Sequence, residues 1–504
     1  MSLEIEVEDR IRKLKELIDK GIDPFSEKKF EINTNSKELR EKFEDTLQPG
    51  EERDERFSIA GRILSIREHG KIKFLDLYDE FGRIQIVLRK DRTNNFELHE
   101  FLDRGDILGI KGRVMKTKKG ELSLLAEEFK ILAKAIRPLP DIWFGLKDVE
   151  QRYRQRYVDL ILNQEVKEIF KTSHRILKFI REYLDNRGYI EVFTPILQPI
   201  YGGAFAKPFK TYHNFLKEWR YLRIAPELYL KRLLVGGYTR VYEVAPCFRN
   251  ESVDSNHNPE FIQLELYQAY SDFNDMMELV EDMLTSLVKN LFGSLRIKYL
   301  NSEIDFSKPW KRIKMVEAIN SEANINLETM SEEELKNFAK KLGIIEERKG
   351  EIIEKLFDHF VKSKLINPTF ITHFPRDITP LAKKADKNYA ERFELYIGGL
   401  EIANAYTELN NPIEQYKRFV EEEKLRKKLG NKELEYMPMD KDFVRALEYG
   451  MPPAGGLGIG LGRLAMILTN KKTLKEVLLF PTMSSKEDIK LVEEIFKNIC
   501  DYYE

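Results

Sequence analysis

A small five-stranded β-barrel followed by a larger α+β half is the architecture the sequence predicts, and three observations carry it. Residues 57–132 alternate apolar and polar positions in short runs. The stretch Arg137-Pro138-Leu139-Pro140 interrupts regular structure. Beyond it, apolar residues recur at helical and then at strand spacing, without a regular strand–helix–strand repeat. At 504 residues, 42% of them apolar, the chain exceeds one core and suffices for two or three domains.

In the first half, Phe57, Ile59 and Ile63 share one parity, followed by Ile72 with Phe74, then Ile84, Ile86 and Leu88. A helical stretch over residues 95–103 precedes two more strands, 107–114 and 122–131. Three strands, a helix and two strands is the order of an OB-fold barrel. The N-terminal twenty residues are charged with a helical pattern, which excludes a signal peptide. We assign residues 1–140 to this half and 141–504 to the second.

The second half opens on a predicted helix, 165–187, in which Val166, Ile169, Phe170, Ile176, Leu177, Ile180 and Leu184 repeat at helical spacing. Gly188 follows as a C-cap residue would, and a strand runs from Tyr189 to Phe193. Residues 311–366 are mostly helical, with a capping box formed by Ser331 and Glu334, and read as an insertion without chemistry.

Composition excludes several classes. The longest apolar runs are far too short to span a bilayer. Two cysteines, Cys247 and Cys500, give neither a disulfide framework nor a zinc cluster and predict a reducing, cytoplasmic home. With 84 basic and 85 acidic residues, any contact with nucleic acid must come from local patches.

Three stretches carry chemistry. The segment 241–251 is a strand entering a polar loop, and a second strand runs from Phe261 to Tyr270. On that second strand Phe261, Gln263, Glu265 and Tyr267 share one face, and Ile262, Leu264 and Leu266 the other. The polar row fits either a binding surface or the solvent-exposed face of an antiparallel sheet. In the hairpin that follows Arg392, Gly398-Gly399 fits a primed two-residue turn. That turn pairs Ile397 with Leu400 and Tyr396 with Glu401, and puts Glu394 diagonally across from Glu401. Two such carboxylates either hold a hard divalent cation such as Mg2+ or are surface glutamates paired with lysines. Asn404, Tyr406 and Glu408 fall on the opposite parity, so one site for all of them requires a bulge between Glu401 and Asn404. The third stretch runs from Pro452 through Gly455, Gly456, Gly458, Gly460 and Gly462 to Arg463. It lets a backbone approach a ligand closely, but it is not a Walker loop, since no Gly-Lys-Ser/Thr follows.

Together these stretches resemble the three signature motifs of the class II aminoacyl-tRNA synthetases, in their lysine-specific form. The first is the long helix with Gly188-Tyr189-Ile190-Glu191-Val192-Phe193-Thr194-Pro195. The second is Phe248-Arg249-Asn250-Glu251 through His257-Asn258-Pro259-Glu260-Phe261, and the third is the glycine run ending in Arg463. Between them lie Tyr201-Gly202-Gly203-Ala204, Ala225-Pro226-Glu227-Leu228-Tyr229-Leu230-Lys231, and the stretch from Glu401 to Asn410. The last two look like lysyl rather than aspartyl or asparaginyl enzymes.

The resemblance implies a central antiparallel sheet in an α+β catalytic domain and a homodimer formed through the first-motif helix. It implies an enzyme that activates L-lysine with ATP and Mg2+ and transfers it to lysine tRNA. Arg249 would contact the α-phosphate and the lysine carboxylate, with Glu251 on the adenine amino group and Phe261 stacked on the base. Asn250, His257, Asn258, Glu401 and Gly460 would join the ATP site, with Arg463 as a γ-phosphate clamp. Gly203 and Glu227 would hold the α-amino group, while Glu265, Tyr267, Asn404, Tyr406 and Glu408 line the lysine pocket. Glu394 and Glu401 would coordinate magnesium. Gly462 stands where family members carry aspartate, which leaves Arg463 without a local partner.

In the barrel, Arg62, Phe74, Gln85 and Glu121 match positions where lysyl enzymes read an A/U-rich anticodon. Phe74 taken alone reads as a core aromatic. Lys116, Lys118 and Lys119 either touch phosphates or solvate a hairpin. A paralogue that lysylates a protein is disfavoured by the intact barrel. A non-catalytic RNA-binding homologue is disfavoured by retention of Arg249, Glu251 and Arg463.

Overall fold

The computed structural model describes residues 3–140, 146, 148–428 and 437–484; Cys500 lies outside them. The chain forms two compact units, 1–164 with 484–504, and 165–483. The break thus falls beyond the proline-marked stretch at 137–140. No described helix is long and apolar enough to cross a membrane.

The first unit holds a closed barrel of five strands, β1 (Glu52–His69), β2 (Ile72–Tyr78), β3 (Arg83–Arg89), β4 (Ile107–Lys116) and β5 (Leu122–Ala133), in the order β1-β2-β3-β5-β4. The 18-residue β1 pairs with β4 along its first part and with β2 along its last. A parallel pairing of β3 with β5 completes the ring. Ile59, Ile63, Ile84, Ile86 and Leu88 point into the core as their parity predicts. On β2 the core residues are Leu75 and Leu77, so Ile72 and Phe74 face outward. The stretch expected to be helical is a 3-10 turn, Phe96–Phe101, entered through Asn95 in the left-handed conformation.

In the second unit the helix Gln164–Asp185 buries Val166, Ile169, Ile176, Ile180, Tyr183 and Leu184, and Gly188 follows it at φ +76°. The short strand β6 (Ile190–Glu191) comes next. A small three-stranded sheet then forms from β7 (Leu197–Gln198), β8 (Lys210–His213) and β9 (Glu218–Leu222). The main sheet adds β10 (Arg240–Phe248) and β11 (Glu260–Ala269), and β12 (Arg296–Tyr299) with β13 (Ser302–Asp305) makes a separate hairpin. The remaining strands are β14 (Lys311–Lys314), β15 (Thr369–Thr372), β16 (Arg392–Ile397), β17 (Leu400–Thr407) and β18 (Ala454–Gly460). The eight run in the order β14-β15-β16-β17-β18-β11-β10-β6, antiparallel except for the pair at each edge.

One face of this sheet packs on the helix Phe273–Phe292: Leu264, Leu266, Ala405, Leu457 and Ile459 share a core with Met276, Val280 and Leu284. The alternation along β11 and β18 therefore leaves the opposite face free for polar residues. The insertion forms three helices, Met315–Ala323, Glu332–Lys341 and Lys349–Phe360, with their own apolar core against Ile371, Phe374 and Tyr396. The Ser331–Glu334 capping box is present.

Candidate active site

The polar face of the sheet floors a cavity of ≈ 600 Å³. Its wall includes Gly203, Glu227, Arg249, Glu251, His257, Asn258, Phe261, Glu265, Tyr267, Asn404, Tyr406, Glu408, Gly460 and Arg463. Glu394 and Glu401 also line it. Asn250 alone of the expected nucleotide contacts is not on the wall; its backbone N–H donates to the Lys207 carbonyl at 2.7 Å.

The glycine run explains how these groups converge. Gly458 lies between Glu265 on β11 and Asn404 on β17, and Gly456 lies between Tyr267 and Tyr406. A Cβ on Gly456 would meet Glu408 Oε1 at 2.0 Å and the Tyr267 ring at 2.5 Å. The absent side chains of β18 thus give their volume to carboxylates and phenols from both neighbouring strands. The hairpin follows its predicted register, with Gly398 and Gly399 both at positive φ. Between Glu401 and Ala403 the pairing slips by one residue, so Ile402 is extra. That bulge lies in the expected window and brings Glu401 to the same cavity as Asn404 and Tyr406.

Glu265 and Tyr267 are only 6% and 3% exposed, so their face of β11 is not a solvated one. Glu265 accepts hydrogen bonds from Gln263 and from the Tyr267 hydroxyl at 3.1 Å, both neutral donors. Burial, reinforced by the Glu227 charge, pushes its carboxyl up to about 8. Burial likewise pushes Glu408 up to about 8, with Lys231 opposing the shift. Oε1 of Glu408 is buried without a hydrogen-bond partner. Lys231 was not anticipated: its fully buried ammonium lies 2.5 Å from Glu227 and also contacts Glu408. The signal available in the sequence was the four-residue spacing of Glu227 and Lys231 on the helix Glu227–Val235.

Arg249 lies over the Phe261 ring at 5.0 Å, and its buried Nε has no hydrogen-bond partner, an orphaned donor suited to an anion. Arg463 does have a partner. Its guanidinium donates to both the carboxylate and the carbonyl of Glu401 at 3.1 Å, and it approaches His257 Nε2 at 3.3 Å. A Cβ on Gly462 would meet Leu474 at 2.8 Å, so a side chain there would compete with packed apolar volume. The supporting role expected of a neighbouring aspartate passes to Glu401. Burial acts to raise the Glu401 carboxyl, but the charges of Arg463, Lys362 and Arg392 together hold the group below its ordinary value.

Burial raises Glu394 to about 7, and the Glu401 charge adds to the shift. Glu394 also pairs with Arg392 at 2.5 Å, and Arg392 reaches Asn404 at 3.2 Å. Among the described residues no group of three or more His, Cys, Asp or Glu side chains is arranged to hold a metal alone. Two carboxylates completed by phosphate oxygens are a donor set that suits magnesium. The insertion contributes Arg348, Glu351 and Glu354 to the cavity wall, contrary to its reading as a segment without chemistry. No local pattern marked them, because the helix that carries them reaches the site only through the packing of the insertion.

On the barrel, Phe74 lies outside the core on β2, edge-on to His69 at 6.2 Å. Gln85 donates to Ser123 at 2.8 Å and accepts from Arg67, and Glu121 pairs with Arg83. Arg83 and Arg67 also hold Asp76, so the outer faces of β2 and β3 carry a charged network with one ring beside it. Arg62 donates to the Gly105 carbonyl at 2.6 Å, and Lys116 to the Glu44 carbonyl at 2.5 Å.

Comparison with known proteins agrees with this geometry. Residues 148–484 match the family "tRNA synthetases class II (D, K and N)", and residues 57–132 match the "OB-fold nucleic acid binding domain". The chain is 48% identical to a lysine–tRNA ligase of Carboxydothermus hydrogenoformans over 95% of its own length and 98% of that protein's. It is 46% identical to the lysine–tRNA ligase of Syntrophomonas wolfei (94% and 96% covered) and 47% to that of Thermosipho africanus (94% and 95%). With a matching catalytic family over most of its length and relatives aligned nearly end to end, the chain belongs to the class II tRNA synthetases.

Proposed function

We propose that the chain is a lysine–tRNA ligase that activates L-lysine with ATP and transfers it to the 3′ end of lysine tRNA. The observation that carries the reading is Glu265, a buried carboxylate whose hydrogen bonds come from neutral groups. A buried anion without a cation is costly, and an ammonium-bearing ligand relieves that cost. Glu408, Tyr267, Asn404 and Tyr406 complete the side-chain pocket, and Glu227 with Gly203 receives the α-amino group.

Activation joins the lysine carboxylate to the α-phosphorus and releases pyrophosphate, which requires alignment and charge neutralisation rather than a strong base. Arg249 bridges the two reacting anions, and its position over Phe261 sets where the base stacks. Glu251, His257, Asn258 and Gly460 hold the nucleotide, and Arg463, steadied by Glu401, takes the γ-phosphate. Glu394 and Glu401 would hold Mg2+, which offsets charge on the leaving pyrophosphate.

Residues 1–140 serve as the anticodon-binding domain, with Phe74 as the stacking ring and Gln85, Glu121 and Arg62 beside it. Two chains pair through the first-motif region, where Phe193 is 86% exposed; sedimentation checks the dimer. A chain with only two cysteines supports a cytoplasmic home. The test is ATP–pyrophosphate exchange with each amino acid in turn. Lysine-dependent exchange supports the reading, and exchange with aspartate alone overturns it.

A further inference from the structure

Behind the wall of the cavity lies a cation that the reaction does not consume. Lys231 is fully buried, and it is not on the cavity surface itself. Its ammonium touches two carboxylates that are on that surface, Glu227 and Glu408. Glu227 comes from its own helix, one turn earlier, and Glu408 follows the end of β17. The other charged groups near these carboxylates are already matched or committed. Arg392 is paired with Glu394, Arg463 with Glu401, and Arg249 is left for the anionic parts of the substrates.

We propose that Lys231 is a positioning residue for amino-acid selection: its ammonium aims the carboxylates of Glu227 and Glu408 and sets how much negative charge the pocket presents. This rests on the lysine-pocket reading given above. Once ionised to receive the ligand, Glu227, Glu265 and Glu408 carry three negative charges against one resident ammonium, held between Glu227 and Glu408, which leaves two charges for the substrate to match. Lysine carries two ammonium groups, and its carboxylate is met by Arg249. With Lys231 in place, binding of the substrate brings the buried site to neutrality; without it, one carboxylate stays uncompensated even in the complex.

Geometry points the same way. Glu408 lies against the Cα of Gly456 and has one oxygen without a hydrogen-bond partner. Its fixed direction therefore comes from contact with β18 and from Lys231. A ligand ammonium can approach the free oxygen from the cavity while Lys231 keeps hold from behind.

The experiment is steady-state ATP–pyrophosphate exchange with the full chain. Wild type must first show lysine-dependent exchange; its absence overturns the pocket reading and this proposal together. K231M is expected to raise the KM for lysine about tenfold or more while the KM for ATP stays within about twofold. K231R, which keeps the charge, is expected to recover lysine KM to within about fivefold of wild type. Lysine-dependent exchange with an unchanged lysine KM in K231M overturns the proposal alone, as does an equal rise in both KM values. Should K231M fail to fold, K231M/E408Q removes the whole pair and returns the wall to two negative charges. A lysine KM no worse than about threefold above that of E408Q supports the charge count, and a further rise of about tenfold overturns it.

Discussion

Glu408 concentrates the chemistry of the site in one residue. It is fully buried, holds Lys231 on one side and keeps an oxygen without a partner on the other. Glu408→Gln keeps the shape and removes the charge, so it should cut kcat/KM for lysine by about 100-fold or more while the KM for ATP moves less than about threefold. Exchange kinetics with each substrate varied in turn check this; equal losses in both would place Glu408 outside the side-chain pocket. The raised carboxyls give a second expectation. Burial lifts Glu265 and Glu408 to about 8, and only the ionised forms pair with an ammonium. The KM for lysine should therefore fall as pH rises from about 6.5 to about 8.5, while the KM for ATP does not follow it. In the empty enzyme these groups keep protons that the unfolded chain has already lost above the ordinary carboxylate range. Their contribution to stability therefore declines as pH climbs from about 4.5 towards 8, and added lysine should raise Tm more at the upper end.

At the scale of an element, β18 shows why a glycine run belongs here. Its residues form the central row between β11 and β17, and at Gly456 a single methyl would overlap both Glu408 and Tyr267. Gly456→Ala should lower stability by about 1–3 kcal/mol and abolish most lysine activation, read by thermal melting and by exchange. A fully active, unshifted variant would mean the carboxylate does not rest on that backbone. The hairpin β16–β17 was largely legible beforehand, because a two-residue glycine turn sets strand register locally. The face of β11 was not, since a polar row looks the same whether it meets solvent or a cavity. Only the helix Phe273–Phe292 on the opposite side, together with the cavity, settles which side of the sheet is core.

Over the whole molecule, the chain divides into two compact units, and the proposed function gives each its own task. Phe74 on the outer face of the barrel should contribute to tRNA binding and not to adenylate formation. Phe74→Ala is expected to leave exchange kinetics unchanged and to raise the KM for lysine tRNA about tenfold, in line with the loss of one stacked base. Aminoacylation assays with tRNA varied measure it, and unchanged charging kinetics would remove Phe74 from the anticodon site. In the barrel, strand order was readable from period-two runs, yet the parity of β2 was not. Ile72 and Phe74 are as apolar as Leu75 and Leu77, and only closure of the ring chose Leu75 and Leu77 for the interior.

The family resemblance grouped Arg249, Glu265 and Glu408, while the sequence by itself determined the order of elements, the primed turn at Gly398-Gly399 and the need for a bulge before Asn404. These depend on spacing between near neighbours, which periodicity and turn chemistry encode directly. Tertiary structure alone decided that Ile402 is the extra residue, that Glu401 supports Arg463 in place of an aspartate, and that Lys231 sits between Glu227 and Glu408. Each of these joins side chains from separate elements, or strands in a particular register, and their burial gives the pairings their strength.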